Sequence, residues 1–411
     1  MVTSCRFCGH ALGAPFIDLG HQPLANAYVV PGTEAAERTF PLVVRTCSAC
    51  LLVQADHSVP ADQIFTTDYA YFSSYATSWV AHAERYAAAM TARFNLGQAS
   101  QVVEVASNDG YLLQHFARAS VPVLGVEPTR RTAEAAIAKG ISTEIAFFGQ
   151  ETAARLADVY PRADLMVANN VLAHVPDIAD FVQGFAVLLN AEGVATFEFP
   201  HLLNLIEHVQ FDTIYHEHYS YLSLAALEKI FAHAGLRVFD VEQLPTHGGS
   251  LRLFVCHTAA AHGACDGLHN VRALEHARGL DRADGAAYLG FPPRVAAARR
   301  SFCDFLAGAK AEQKTVAGYG AAAKGNTFLN YCGVHAPDLL VVADASHAKQ
   351  GRLLPGSHIP VVAPNALSDL KPDYIVILPW NLAPEITRTM QHVREWGGQF
   401  VIAIPETQLL P

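Results

Sequence analysis

Two histidines, one glutamate and three tyrosines stand together in Phe211-Asp212-Thr213-Ile214-Tyr215-His216-Glu217-His218-Tyr219-Ser220-Tyr221. An imidazole near neutrality can take and return a proton when a carboxylate or tyrosine fixes its tautomer, so general acid/base work is one reading of this run. A metal site is another, because imidazole and carboxylate both ligate zinc. Against it, His216-Glu217-His218 is tighter than His-Glu-x-x-His, and no third histidine stands at a helical offset. A polar loop of individually satisfied side chains is the third. It suits any one of these residues better than it suits the cluster.

Four cysteines make a sharper pattern. Cys5-x-x-Cys8 and Cys47-x-x-Cys50 are two short knuckles with 38 residues between them. Each presents two sulfurs on one side, and together they supply the four thiolates of a closed tetrahedral zinc site. Such a site stabilises a fold and leaves the metal no open position for chemistry. The spacer, with Asp18 to Pro23 and the apolar Phe40 to Val44, must fold as an insert between the knuckles. Cys256, Cys265, Cys303 and Cys332 are scattered singly and read as small buried hydrophobes.

The elements that would hold a ligand begin at Val102. The spacing predicts a strand over 102–105, a small-residue turn over 106–110, a helix over 111–117 and a second strand over 121–126, which together make one βαβ unit. Glu104-x-Ala106-Ser107-x-Asp109-Gly110 lacks Gly-x-Gly-x-x-Gly and suits S-adenosylmethionine (SAM) better than a dinucleotide pyrophosphate. Glu127 closes the second strand, where a carboxylate can accept from both hydroxyls of a ribose. Further strands are expected over 141–148, 164–168 and 194–199. Ligands bind at the carboxyl ends of parallel strands, so Gly110, Glu127, Phe148, Asn170 and His174 should rim one cleft. Phe148 could stack on adenine and Asn170 could hold the amino-acid end of the cofactor. The aromatic, hydroxyl-rich Thr67 to Tyr75 precedes this unit, either as inter-domain packing or as a cap over its ligand. A helix over 225–234 and strands over 236–241 and 251–256 close the domain, with His247 in their joining turn and Arg252 just beyond it.

Residues 257–313 read as helical connection, and a second α/β unit follows, with strands over 315–319, 339–343, 373–378 and 399–404. Its first strand enters Gly318-Tyr319-Gly320-Ala321-Ala322-Ala323-Lys324-Gly325-Asn326. Small residues there expose backbone N–H groups at a helix start and Lys324 adds charge, as a phosphate-cradling turn requires. A second nucleotide-like site implies a substrate that is itself a nucleotide conjugate. Duplicated mononucleotide folds can also be purely structural. The expected architecture is α/β with three parts: a zinc-binding module over 1–65, a SAM-binding Rossmann-like domain over 66–256, and a carboxy-terminal Rossmann-like α/β domain over 257–411.

Composition sets the class. The 411 residues are 51% hydrophobic and 16% charged, so the chain can bury substantial cores. A formal charge of −10 and a pI near 6.0 argue against a nucleic-acid or membrane-surface binder. The polar start MVTSCRFCGH reads as no secretory signal, and a cytoplasmic protein is expected, monomeric or weakly homo-oligomeric.

These residues resemble the SAM-dependent sugar C-methyltransferases of deoxysugar biosynthesis. The resemblance runs over almost the whole chain: the four cysteines, Glu104 to Gly110, Gly125 to Pro128, Asn169 to Asp177, Tyr215 to Ser220, His247 to Arg252 and Gly318 to Asn326. It implies structural zinc, SAM in the middle domain, and a nucleotide-linked, usually dTDP-linked, 4-keto-6-deoxyhexose methylated at C3. It points to His218 as base, with Glu217, Tyr215, His174 and an early tyrosine, Tyr69 or Tyr71, around the sugar. His247, Arg252, Tyr319, Lys324 and Asn326 are the implied contacts to the rest of the substrate. Other readings are an O- or N-methyltransferase of a different natural product, an NAD-dependent sugar-nucleotide oxidoreductase, and a zinc-module regulator that binds nucleic acid.

Overall fold

The computed structural model describes residues 4–56, 59–60, 72–75 and 77–411. Tyr69 and Tyr71 lie outside the described residues. Both cysteine knuckles close with left-handed backbone: Gly9 N–H donates to the Cys5 carbonyl and Leu51 N–H to the Cys47 carbonyl, with Gly9 and Leu51 at φ +72° and +69°. Glycine takes that conformation freely, whereas leucine must be held there by its surroundings. The insert between the knuckles folds as β1 (Pro15–Pro23) and β2 (Thr39–Thr46), and β3 (Val53–Ala55) follows the second knuckle; all pair antiparallel.

The middle of the chain alternates strands and helices. Strands β4 (Val102–Val105), β5 (Val123–Val126), β6 (Thr143–Glu144), β7 (Ala163–Asn169) and β8 (Leu189–Pro200) are parallel. Then β9 (Ser220–Tyr221) leaves this domain and pairs antiparallel with β3, completing the four-stranded sheet of the cysteine module. The chain returns through β10 (Leu236–Leu244) and β11 (Ser250–His257), which close the large sheet in the order β10-β11-β8-β7-β4-β5-β6. From β4 the chain winds one way to β5 and β6, then the other way to β7 and β8. The topological switch point therefore lies at the carboxyl ends of β4 and β7.

A third sheet occupies the last hundred residues. Its strands are β12 (Val316–Tyr319), β13 (Val342–Ala343), β14 (Val361–Val362), β15 (Tyr374–Ile377), β16 (Gln399–Ile402) and the antiparallel edge β17 (Gln408–Leu410). The order β14-β13-β12-β15-β16-β17 puts its switch point between β12 and β15. Helices Asp266–Arg278 and Phe291–Ala311 connect the seven-stranded sheet to the six-stranded one along the chain, as the Ala- and Arg-rich composition predicts. The expected third strand shrinks to the two residues of β6, and β9, β14 and β17 were not expected. Each of the latter is two or three residues long, too short to carry an alternation. Among the described residues no helix is long and apolar enough to cross a membrane.

Candidate active site

The turn after β4 is built from strained backbone. Ala106, Asn108 and Gly110 have φ of +57°, +49° and +74°. A Cβ on Gly110 would stand 3.1 Å from Ile141 Cγ1 and 3.3 Å from Ala136 Cβ, so both conformation and space call for glycine. Asn108 N–H donates to Glu127 Oε2 at 3.0 Å and Thr129 N–H to Glu127 Oε1 at 2.8 Å. These bonds orient the carboxylate at the end of β5. Burial pushes the Glu127 carboxyl up. It pushes the Glu104 carboxyl up strongly, helped by the charges of Glu127 and Asp109. Asp109 is held by Lys139 Nζ at 2.9 Å and by the Ser74 hydroxyl, while Ser73 N–H donates to Asn108 Oδ1 at 2.9 Å. The chain entering the domain is thus fastened onto this turn.

Among the described residues, Ser107 Oγ, Glu104 Oε2 and both side-chain polar atoms of Asn169 and Asn170 are buried without a hydrogen-bond partner. They cluster at the switch point of the large sheet, and Asn170 sits at φ +53° to aim there. Unsatisfied groups of this kind are what a polar ligand such as SAM would engage. Phe148 is placed differently from expectation. Its ring lies edge-on to Phe181 and Phe185, 5.6 and 5.1 Å between centroids, and packs on the helix Ile178–Leu188. Phe147, 54% exposed, is the freer ring.

The run predicted to carry acid/base chemistry follows the α-helix Leu202–Glu207 and ends in β9. His218 Nδ1 stands 2.8 Å from the Thr213 carbonyl, so Nδ1 carries the proton and Nε2 keeps its lone pair. Burial, then the neighbouring His174, holds the ring well below the ordinary histidine range, which keeps it neutral. Its centroid is 4.1 Å from Tyr215 and 4.7 Å from His174, and both His218 and Tyr215 remain partly exposed. Burial brings His174 down to about 4 and Glu217 up to about 7. His216 faces elsewhere, with Nε2 3.2 Å from the Pro41 carbonyl of β2.

The cysteine module positions this run. Arg6, inside the first knuckle, donates Nη1 to the Ala55 carbonyl at 2.7 Å and Nη2 to the Tyr219 carbonyl. All four sulfurs lie within 4.8 Å of one another, with Cys5 to Cys50 and Cys8 to Cys47 at 3.5 Å. A tetrahedral zinc with four thiolates requires sulfurs about 3.8 Å apart, so the site fits that ion.

The six-stranded sheet brings its own switch point to the same seam. Trp380, after β15, donates Nε1 to Asp212 Oδ2 at 2.7 Å, and its ring fills the space beside Gly248, whose Cβ would meet it at 2.4 Å. Lys324 Nζ reaches Asn381 Oδ1 at 2.7 Å and lies 4.5 Å over the Trp380 ring. Burial pulls its amine down, against the charge of Asp212. His247 is left-handed at φ +53° and packs edge-on to Trp79 at 5.3 Å; burial lowers it to about 4. Tyr319 is half-buried at the end of β12.

Two expected contacts are engaged inside the protein. Arg252 bonds Glu198 and Glu242, each at 2.7 Å, because the strand registers set those residues directly across from it. Asn326 Nδ2 donates to the Ala25 carbonyl at 2.6 Å, clamping the cysteine module, while its buried Oδ1 has no hydrogen-bond partner among the described residues. Sequence reasoning missed Arg6, Asn26, Trp380 and Asn381, whose partners lie up to 213 residues away. Arg6 alone had a signal, its place between two metal ligands.

The whole chain aligns with the C-methyltransferase NovU of Streptomyces niveus, 35% identical over 410 residues and covering 97% of that protein. The chain belongs to the C-methyltransferase family. Residues 245–405 match the family model of the C-methyltransferase C-terminal domain, 79–241 that of a methyltransferase domain, and 5–65 that of a zinc binding domain. Among solved structures, the SAM-bound magnesium protoporphyrin IX methyltransferase of Synechocystis PCC 6803 is 16% identical with a TM-score of 0.34, covering 44% of this chain and 79% of its own. The CcbJ methyltransferase of Streptomyces caelestis is 14% identical with a TM-score of 0.34, covering 43% and 90%. This C-methyltransferase is a SAM-dependent enzyme with a structural zinc, and its four cysteines and its switch-point residues fit those groups.

Proposed function

We propose that this C-methyltransferase methylates C3 of a dTDP-linked 4-keto-6-deoxyhexose through an enolate. The observation that carries the reading is His218, with Nδ1 anchored on the Thr213 carbonyl and a neutral ring that leaves Nε2 free as a base. A ketone at C4 acidifies the C3 proton, which Nε2 removes. Tyr215 and His174, whose rings lie 4.1 and 4.7 Å from that of His218, are the groups able to donate to the developing enolate oxygen. Glu217 takes the proton onward. Bound SAM supplies an electrophilic methyl to the carbanion. The turn 106–110, Glu127 and Asn170 hold it at the carboxyl edge of the large sheet. Lys324, Asn381 and Tyr319 sit where a diphosphate would lie across the seam, with His247 at its rim.

The test uses SAM carrying a 13C methyl and a dTDP-4-keto-6-deoxyhexose, with the product read by NMR. The expected result is a new carbon–carbon bond at C3, lost in His218→Asn while S-adenosylhomocysteine still binds. A methyl on oxygen or nitrogen, or undiminished turnover by His218→Asn, overturns the reading.

A further inference from the structure

Glu217 is 4% exposed, yet a residue of the zinc module reaches it. Asn26 stands in the loop between β1 and β2, 191 positions earlier in the chain, and its Nδ2 donates to Glu217 Oε1 at 2.6 Å. Among the described residues this amide is the one side-chain donor at that carboxylate.

Asn26 is itself exposed, but its loop is fastened on both sides by the carboxy-terminal domain. Asn326 holds the Ala25 carbonyl, the Tyr28 hydroxyl donates to the Ala321 carbonyl, and Val29 exchanges backbone bonds with Leu353 at 3.0 and 2.9 Å. Ala27 N–H closes the turn onto the Leu24 carbonyl at 3.0 Å. Those bonds fix the backbone of the loop, so the contact from Asn26 to the buried carboxylate orders no further main chain.

We propose that Asn26 is a positioning residue for Glu217: its amide fixes Oε1 and leaves Oε2 to exchange a proton at the base. The proposal rests on the reading of Glu217 as the proton carrier beside His218. The chemistry of the donor matters. An amide favours the ionised carboxylate without adding charge, whereas a lysine or arginine would hold it ionised far below neutrality. With only an amide opposing burial, Glu217 titrates at about 7, where a group that must both accept and return a proton works best. The other titratable groups around it are Tyr28 on the same loop, His174 bonded to the Glu217 backbone, and the chain neighbours His216 and His218. The zinc module would then contribute to the chemistry as well as to the fold.

The test compares the full-length enzyme with Asn26→Ala, Asn26→Asp and Glu217→Gln. The protonated carboxyl stretch of Glu217, assigned by its disappearance in Glu217→Gln, is followed by infrared spectroscopy against pH. In Asn26→Ala its midpoint should rise by about one unit, the size expected for losing a hydrogen bond to a charged group. In Asn26→Asp, with like charges opposed, it should rise further. The acid limb of kcat should move upward with it, because activity requires the ionised form, while zinc content and S-adenosylhomocysteine affinity stay as in the parent. An unmoved midpoint in both Asn26 variants overturns the proposal, as does a raised KM with an unmoved limb. Full activity in Glu217→Gln, with the midpoint still shifted by Asn26→Ala, instead removes the catalytic reading of Glu217 and leaves the positioning contact standing.

Discussion

Replacing Gly125 by alanine should cripple cofactor binding without touching a cofactor contact. Gly125 sits in β5, opposite Glu104 of β4 and Thr143 of β6. A Cβ there would stand 2.4 Å from Ser107 Oγ, 3.0 Å from Ser107 Cβ and 3.1 Å from Thr143 Oγ1. Turning the serine hydroxyl aside relieves only the first of these contacts, so the Ser107 backbone must withdraw, by roughly 1 Å to restore ordinary contact. Ser107 is fully buried between Ala106 and Asn108, both left-handed, and the Asn108 N–H that orients Glu127 moves with it. Overpacking of this kind costs about 1–3 kcal/mol, and weakening one hydrogen bond to a charged group adds a comparable amount. If about 2 kcal/mol of this falls on the turn, affinity for S-adenosylhomocysteine drops about thirtyfold. Titration calorimetry on Gly125→Ala measures it, with Gly97→Ala as control, since nothing lies within 4 Å of a Cβ there. An affinity within twofold of the parent, in a variant that melts where the parent does, would refute the argument that the turn's placement makes the cofactor site.

Three further outcomes follow from the same geometry. Arg6→Ala removes the bonds to the Ala55 and Tyr219 carbonyls. Each is worth about 1.5–3 kcal/mol, so the melting temperature and kcat should both fall while cofactor affinity, measured by calorimetry, holds. Cys47→Ser should release zinc, read by metal analysis, and abolish methyl transfer, because β9 is paired to the sheet those cysteines anchor. Asp212→Asn keeps an acceptor for Trp380 but removes the charge that holds the Lys324 amine up. The lysine should then lose its proton at lower pH than in the parent, and a fall in dTDP affinity with rising pH should set in earlier in the variant than in the parent.

What the sequence disclosed was local. The βαβ unit from Val102 to Glu127 was legible because its apolar runs, its turn and its acidic residue lie within one stretch, and the strands form there. The cysteine knuckles were legible for the same reason. Arg252 and Phe148 show the limit: their residue types and positions are right for a ligand cleft, but strand register gives Arg252 two carboxylates and a helix gives Phe148 two rings. Asn26 was invisible. Its neighbours Leu24, Ala25 and Ala27 carry no motif, and its partner is brought to it only by the packing of three domains. The histidine cluster was recognisable as a group, but which ring nitrogen is free depends on the Thr213 carbonyl, a backbone atom no side-chain pattern reports.

The two-residue strand β9 has a practical consequence for anyone recombining such enzymes. It is an edge of the amino-terminal sheet donated by the methyltransferase segment, so a junction placed near residue 66 puts the two sides of a hydrogen-bonded ladder on different parents. A chimera that swaps the first 65 residues for a relative's would keep its metal knot yet lose the matched seam that sets the pitch of the histidine beside it.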